Sequence, residues 1–480
     1  MKAVDNFYYF ELVYDKDLPL WGFVGTPEMN EEGEVETYVF AHLHFSMTYN
    51  GNHVISANVT ADQARAVKLI PGESQVIEYS YSASWSEIDI KYEDRMDVYN
   101  QYDFFSQELE IHWLSVMNSL ILVVLLAGFL ALILVRVLRR DFSRYELSAL
   151  DKEAAGDDAE EYGWKLVHAD VFRFPAYPSL FCSIVGNGVQ FFTMIMAILM
   201  LAVVGVFYPT NRGLMQTAAV VLYALTCFIG GFVSSQLYRQ MRGERWAWNI
   251  VQTSLLFAVP FFITWFILNS IAVSYESTSA LPFGTIVIIA LIWGLVGFPL
   301  TVVGGISGRQ AGGEFDAPCR VSKVQREIPP MDWYREGWFQ IIVAGFLPFS
   351  AIYIELYYIF SSVWGHRPYT LYGILLLVFV ILLVVTIEIQ ISLTYFQLAA
   401  EDHRWWWRSL LSGGSTAVYI YGYAMFYFSH RSDLSGTLQS AFYFGYTAMA
   451  CLAFFMMLGT VGWWASLVFV RRLFHGLKTD

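Results

Sequence analysis

Residues 368–399, PYTLYGILLLVFVILLVVTIEIQISLTYFQLA, are apolar over a length that is sufficient to cross a lipid bilayer. A membrane-spanning helix needs about 20 mostly apolar residues. Only helices and closed barrels satisfy every backbone polar group in hydrocarbon, and this run is continuous rather than alternating, so it predicts a transmembrane helix. Eight further runs share this character, and the full set is 114–135, 181–207, 214–237, 247–273, 281–307, 338–364, 368–399, 409–429 and 438–470.

The composition also indicates a chain that lies mostly in lipid. Hydrophobic residues make up 56% of the sequence and charged residues only 15%. The bundled helices of a soluble protein would carry polar faces between apolar stripes, and the runs have none. We therefore predict an α-helical polytopic membrane protein with nine transmembrane helices in residues 113–472, preceded by a β-rich domain in residues 1–112.

Lysine and arginine are divided unevenly between the two sides of the predicted bundle. One side holds 20 of them and the loops of the other side hold three, if the long N-terminal segment is left out of the comparison. Because basic residues concentrate in cytoplasmic loops, this split predicts that residues 1–112 are lumenal or extracellular and that the tail, 473–480, is cytosolic. The predicted cytosolic loops are 136–180, 238–246, 308–337 and 400–408.

Residues 1–112 account for the net negative charge of the chain, because they hold 20 acidic and only six basic side chains. No basic surface of the kind that binds nucleic acid is present, so we expect no nucleic-acid partner. Residues 1–10 lack the apolar core of a signal peptide, although the segment should be translocated. Either the first span acts as a reverse signal anchor or the natural N-terminus lies further upstream, and we favour the second interpretation, a truncated domain.

Two segments of this domain predict β-structure. Residues 38–60 predict a hairpin, because alternating residues lead into Asn50-Gly51, a strong two-residue turn signal. Residues 77–86 alternate apolar and polar side chains, which predicts a half-buried antiparallel strand. We expect a small unit like a β-sandwich. The triplet Asn58-Val59-Thr60 makes Asn58 a candidate N-glycosylation site.

Several polar or helix-breaking residues lie inside the predicted spans. Glu355 and Glu388 are candidates for function, because an intramembrane acid costs roughly 2.5–3.5 kcal/mol on insertion scales. They could form a proton or cation relay, or remain protonated and form hydrogen bonds between helices. Pro260, Pro299 and Pro348 predict helix kinks, which are typical of broken-helix transporters but also occur in ordinary spans.

No motif in the sequence points to catalysis. Walker, HExxH and serine-elbow motifs are absent, and so is a pair of intramembrane aspartates. We therefore predict no enzyme, no metal and no cofactor. The four cysteines are too widely spaced for a local zinc site and are predicted to be apolar packing residues: Cys182, Cys227, Cys319 and Cys451.

Two further segments predict packing surfaces. The Gly304-to-Gly308 spacing predicts a close helix contact. Segment 163–175 is too polar to insert and too aromatic for a linker, so it should pack under the bundle. Within it, His168 and Asp170 could be a catalytic pair, but a cap at the membrane surface is the favoured interpretation.

Motifs along most of the chain resemble those of the nonaspanins, the transmembrane 9 superfamily. They include 17–25 DLPLWGFVG, 111–113 IHW, 163–165 GWK with 168–175 HADVFRFP, 281–285 LPFGT, 318–320 PCR, 346–349 FLPF and 443–446 YFGY. The stretches 315–320 FDAPCR, 326–330 REIPP and 401–408 EDHRWWWR look most like the member-one branch. Family members also have a signal peptide and a longer lumenal region.

The resemblance implies a non-enzymatic protein that sorts and localises other membrane proteins in Golgi and endosomal or lysosomal membranes, with links to autophagy and adhesion. Its implied partners are membrane lipids, client transmembrane proteins and the coatomer coat. Lys478 and Asp480 match the family's C-terminal coatomer-binding and Golgi-retention signal. The alternative function that the sequence leaves open is a proton- or ion-coupled transporter or channel that uses Glu355 and Glu388.

Overall fold

The computed structural model is mainly helical, with a small β-rich part at the N-terminal end. The chain divides into two compact units, Met1–Trp113 with Tyr208–Arg212, and Leu114–Phe207 with Gly213–Asp480. The structure describes Val4, scattered positions between 117 and 143, and the ranges 9–15, 18–29, 35–70, 74–94, 163–207, 212–277, 280–364, 372–431 and 436–475.

The described part of the first unit contains eight strands in three small sheets. The strands are β1 (Tyr9–Asp15), β2 (Leu18–Phe23), β3 (Gly25–Met29), β4 (Val35–Phe40), β5 (His42–Asn50), β6 (His53–Ala61), β7 (Ala66–Lys68) and β8 (Ser80–Glu87). Strand β1 pairs with β2, β4 lies between β3 and β7, and β5 lies between β6 and β8. Leu20 of β2 and Val59 of β6 share one buried apolar cluster, so two of the sheets have a common core.

The predicted hairpin is confirmed, but its two-residue turn is Gly51-Asn52 rather than Asn50-Gly51, and its predicted first strand is wrong. Strands β5 and β6 pair antiparallel, with Asn50 opposite His53. Gly51 takes a φ of +58°, which glycine adopts without steric cost at the first position of a two-residue turn. The chain, however, leaves the ladder at Ala41, so Val39 and Phe40 belong to β4 and pair in a different sheet.

The strand predicted over 77–86 exists as β8, but two of its predicted properties are wrong. It pairs parallel to β5, because the chain crosses over through β7, in another sheet, before it returns. Its aromatic side chains are not half-buried, since Tyr81 and Trp85 are 77% and 56% exposed. Their rings contact Phe45 and Tyr49 only edge-on. The alternating sequence pattern predicted which residues share a face of the strand. It did not predict the direction of the strand or which residues pack against each face.

Ten α-helices follow in the second unit between residues 178 and 475. They are α1 (Pro178–Val203), α2 (Arg212–Gln240), α3 (Trp246–Ser274), α4 (Phe283–Ile292), α5 (Phe298–Ala311), α6 (Gly337–Trp364), α7 (Tyr372–Ala399), α8 (Trp405–Gly414), α9 (Thr416–Arg431) and α10 (Thr437–His475). A π-helical turn, Trp293–Gly297, joins α4 to α5. The long helix α10 packs against α1, α3, α7, α8 and α9 and forms the centre of the bundle.

Among the described residues, seven helical stretches are long and apolar enough to cross a membrane, with α4 and α5 counted as one. They correspond to seven of the nine predicted spans. The predicted span 409–429 consists of α8 and α9, which meet at Ser415 after two glycines, and neither helix is long enough alone. Most of the span 114–135 lies outside the described residues, although Val123 packs with Ile381 and Val385 of α7.

The three prolines occupy three different helices. Helices α3 and α6 continue through Pro260 and Pro348. Pro299 lies in the first turn of α5, directly after the π-helical turn. Because proline has no backbone N–H, the preceding turn cannot form every α-helical hydrogen bond, and Phe298 N–H instead bonds to Trp293 O. This irregularity separates α4 from α5 within one membrane span.

Candidate functional site

Segment 163–175 packs against the ends of several helices and contributes to a buried polar cluster. Its Trp164 and Phe172 are each only 1% exposed and pack against the ring of Phe474, in the last turn of α10. Trp405 and Trp407, at the start of α8, donate indole hydrogen bonds of 2.8 Å to Val171 O and Ala176 O. The prediction that this segment packs on the bundle is confirmed.

Asp170 is buried in this cap and connects it to the loop between α5 and α6. Its carboxylate pairs with Arg173 at 2.5 Å and accepts a 3.1 Å hydrogen bond from Arg326 N. Arg173 also donates to Ser322 O at 2.9 Å, and Ser322 N donates to Ala169 O at 2.8 Å. The loop between α5 and α6 is therefore fastened to the cap by both side-chain and backbone bonds.

Asp402 forms a second buried centre in the short loop between α7 and α8. It pairs with Arg408 at 2.9 Å, and both side chains are at most 10% exposed. Gln397 Nε2 and Arg404 N also donate hydrogen bonds to the Asp402 carboxylate. Arg408 in turn donates to Arg335 O at 2.6 Å, so the pair connects the start of α8 to the segment before α6.

His403 lies between the two buried aspartates. It is 3% exposed, and its Nε2 is 2.9 Å from Gln325 Nε2. Burial lowers the pKa of His403, while the nearby carboxylates of Asp170 and Asp402 act in the opposite direction. The neutral ring accepts from the Gln325 amide at this nitrogen, so His403 is one more link between the α5–α6 loop and the α7–α8 loop.

These contacts join segment 163–175, the α5–α6 loop and the α7–α8 loop to one another. Both aspartates of the cluster accept hydrogen bonds from arginine side chains and from backbone N–H groups. His168 contacts Lys165 O at 2.8 Å rather than Asp170, so these two residues do not form a catalytic pair. The cap interpretation of segment 163–175 is the one that the geometry supports.

A second polar cluster joins α1, α2 and α3 inside the membrane domain. Thr253 Oγ1 is 2.7 Å from Ser234 Oγ and donates to Ser183 Oγ at 3.1 Å. Asn249 Nδ2 donates to Ser234 Oγ at 3.0 Å, and Asn187 Nδ2 donates to Thr253 O at 2.9 Å. All five side chains are buried, so their hydrogen bonds fix three helices against one another without any ionised group.

The two intramembrane acids differ in burial. Glu355 on α6 is 3% exposed and is directed into the bundle, whereas Glu388 on α7 is partly exposed. Helices α6 and α7, which carry the two acids, pack together. Whether they form a relay remains a prediction.

The other predicted site residues are placed as follows. Asn58 is exposed on β6, where its side chain is accessible to modification. Lys478 and Asp480 lie outside the described residues. The four cysteines are all free and buried, as predicted. No cluster of His, Cys, Asp and Glu side chains that could hold a metal occurs in the ranges that the structure describes.

Sequence reasoning missed most of both polar clusters. The intramembrane cluster had a signal, since Ser183 with Asn187 and Asn249 with Thr253 recur at a spacing of four residues, which puts each pair on one helix face. The pairing of Asp402 with Arg408 and the linkage of Asp170 to Arg326 join residues across turns and distant loops. No local pattern could have indicated those partners.

Comparison with known proteins gives matches along nearly all of this chain. The family model described as Endomembrane protein 70 matches residues 1–437. Transmembrane 9 superfamily member 4 of Arabidopsis thaliana is 52% identical, over 98% of this chain and 79% of its own length. Transmembrane 9 superfamily member 1 of Bos taurus is 48% identical, over 100% and 80%. Putative phagocytic receptor 1b of Dictyostelium discoideum is 50% identical, over 100% and 81%. No solved structure matches.

Proposed function

Because this chain belongs to the endomembrane protein 70 family, also named the transmembrane 9 superfamily, we propose that it binds other transmembrane proteins and directs their localisation. The name of the Dictyostelium relative, a putative phagocytic receptor, supports a role in adhesion and membrane traffic. In this proposal the bundle binds a membrane-spanning segment of the client, and the protein itself performs no chemistry.

The observation that supports this proposal most directly is that the described parts of the chain leave much of the surface of α4 uncovered. None of its residues is buried, and only 11% of the residues are buried in an 18-residue apolar stretch of the span Phe283–Ala311, against 61% in the corresponding stretch of Thr437–His475. A side chain at Gly284 or Gly294 would meet no described atom within 4 Å. Small residues on an open helix face let another helix approach closely in the bilayer. The π-helical turn before Pro299 joins this open half to the well-packed α5.

We expect a smaller apolar surface on α4 to weaken client localisation. Cells that lack the protein are rescued either with the wild type or with Ile288→Ala/Leu291→Ala, which removes side chains that are 58% and 51% exposed. Proteomics of fractionated membranes should then show that multispan proteins are mislocalised with the variant, because van der Waals contact drives helix association in lipid.

The matched control reduces the exposed apolar surface of another helix. Val418→Ala/Phe426→Ala alters α9, where the two side chains are 66% and 49% exposed. This control should restore localisation as the wild type does. Full rescue by the α4 variant, or equal failure of the α4 and α9 variants, would contradict client binding at α4.

We also propose residence in Golgi and endosomal or lysosomal membranes, with residues 1–112 in the lumen and the tail in the cytosol. The uneven distribution of lysine and arginine supports this orientation. The tail Lys478-Thr479-Asp480 would then be accessible to the coatomer coat, and Asn58 to glycosylation on the lumenal side. Links to autophagy belong to the same proposal.

The tail proposal predicts a specific change of location. Lys478→Ala/Asp480→Ala should shift the protein out of the Golgi towards later compartments or the cell surface, because it removes both charges of the proposed signal. Thr479→Ala, between them, should leave the distribution unchanged. Imaging of the tagged full-length chain beside Golgi and endosomal markers measures the shift. An unchanged distribution of the double variant refutes coatomer retention by this tail.

A further inference from the structure

Four exposed arginines lie together at one end of the bundle. Arg239 is in the last turn of α2, Arg242 and Arg245 are in the turn that leads to α3, and Arg309 is in the last turn of α5. We call these four residues the arginine corner. It lies on the side of the bundle where basic residues concentrate.

Specific contacts position Arg239 and Arg309 of the arginine corner. Arg239 Nη1 donates a hydrogen bond to Arg309 O, and the Arg309 guanidinium lies 4.6 Å from the centre of the Trp246 ring. Arg242 takes a φ of +57°, which is uncommon for a residue with a side chain. The next residue, Gly243, has no room for a Cβ, which would collide with the Tyr238 ring. The backbone of this turn is therefore constrained by its contacts.

Some arginines at this end of the bundle are paired with carboxylates, whereas the arginine corner is not in the ranges that the structure describes. Arg173, Arg326 and Arg408 form ion pairs of 2.5, 3.0 and 2.9 Å. Within the described ranges, none of the four corner arginines forms an ion pair with an acidic side chain. Glu244, in the same turn, is exposed and likewise forms no ion pair with a described residue. The corner thus concentrates positive charge, and Glu244 offsets only one of its four cations.

We propose that the arginine corner binds the phosphate groups of an anionic lipid headgroup, specifically a phosphorylated phosphatidylinositol. The ends of α2 and α5 are where these helices leave the hydrocarbon, so the guanidinium groups lie at the depth of the headgroups. Trp246 and Trp248 at the start of α3 fit the aromatic belt of the same interface. Guanidinium groups bind phosphate oxygens in a bidentate manner, and a phosphomonoester dianion can engage more than one.

The test measures lipid binding by the purified full-length chain. Wild type and Arg239→Gln/Arg309→Gln are compared for binding to phosphatidylcholine vesicles with and without phosphatidylinositol phosphate. Removal of two interfacial cations should weaken binding about 25-fold, and the loss should shrink at high salt. Arg320→Gln/Lys323→Gln, which removes two exposed charges from the α5–α6 loop, is the matched control and should change binding less than about twofold.

Two further measurements make the result decisive. Arg239→Lys/Arg309→Lys keeps the charge but loses the guanidinium fork, so it should bind between the wild type and the Gln variant. Thermal unfolding of all variants in detergent checks that the fold is intact. Equal weakening by the control pair would show a diffuse charge effect and overturn the site. Equally tight binding of soluble inositol phosphate would show that a free anion, not a lipid, is the ligand, and would overturn it too.

Discussion

Replacing Asp402 by Ala is expected to destabilise the folded membrane domain by about 3–5 kcal/mol, the usual consequence of leaving one partner of a buried ion pair alone. Arg408 would remain 10% exposed with its carboxylate removed. Gln397 Nε2 and Arg404 N would lose their acceptor as well. Thermal or denaturant unfolding of the purified protein in nanodiscs measures the loss, and the yield of folded protein in cells should fall with it.

The neighbouring residue provides a matched control. Glu401 pairs with Arg326 at 3.0 Å, but these side chains are 24% and 41% exposed. Because water screens this pair, Glu401→Ala should cost less than about 1 kcal/mol. If the two variants unfold at the same temperature, the buried pair does not fasten the loops as proposed. Asp402→Asn keeps the shape and one acceptor oxygen, so its stability should lie between that of Asp402→Ala and the wild type.

The sequence predicted the membrane character of the chain because the signal is local and strong. A run such as 372–399 has few alternatives to a helix in lipid, and the structure forms α7 over that range. The resemblance to the transmembrane 9 superfamily is confirmed by relatives that match this chain almost throughout, a member 1 protein among them. The predicted Gly304-to-Gly308 contact is also confirmed, because small residues at a four-residue spacing have a direct physical meaning in helix packing.

Features that depend on distant partners could not be predicted in the same way. Apolar and polar residues alternate in strand β8, as they would in an edge strand or a central strand. Its parallel pairing with β5 results from a crossover of the chain, which the alternating pattern does not indicate. The division of span 409–429 at Ser415 depends on how closely Gly413 and Gly414 approach α10, where a Cβ would contact Leu458 O and Phe455. Such tertiary contacts decide the structure only after the elements have formed.

The second large effect is expected at the contact between α2 and α5. A Cβ at Gly304 would collide with Phe228 O, and one at Gly308 would collide with Phe232 O. In the opposite direction, a Cβ at Gly231 would collide with Thr301 O. Gly304→Leu/Gly308→Leu must therefore push the two helices apart, and we expect a loss of at least about 1–3 kcal/mol for each added side chain. Unfolding in nanodiscs measures this loss.

The same span also provides the control, because described parts of the chain do not pack against the glycines of its first half. Gly284→Leu and Gly294→Leu add the same side chains where no described atom lies within 4 Å. Leucine is the better helix former by about 0.8–1 kcal/mol, so these variants should be neutral or slightly stabilising. The Gly308 contact also positions Arg309 beside Arg239, so its disruption should weaken phosphatidylinositol phosphate binding, whereas Gly284→Leu should preserve it. Equal stability of the two sets of variants would show that α2 and α5 do not depend on glycine for their close approach.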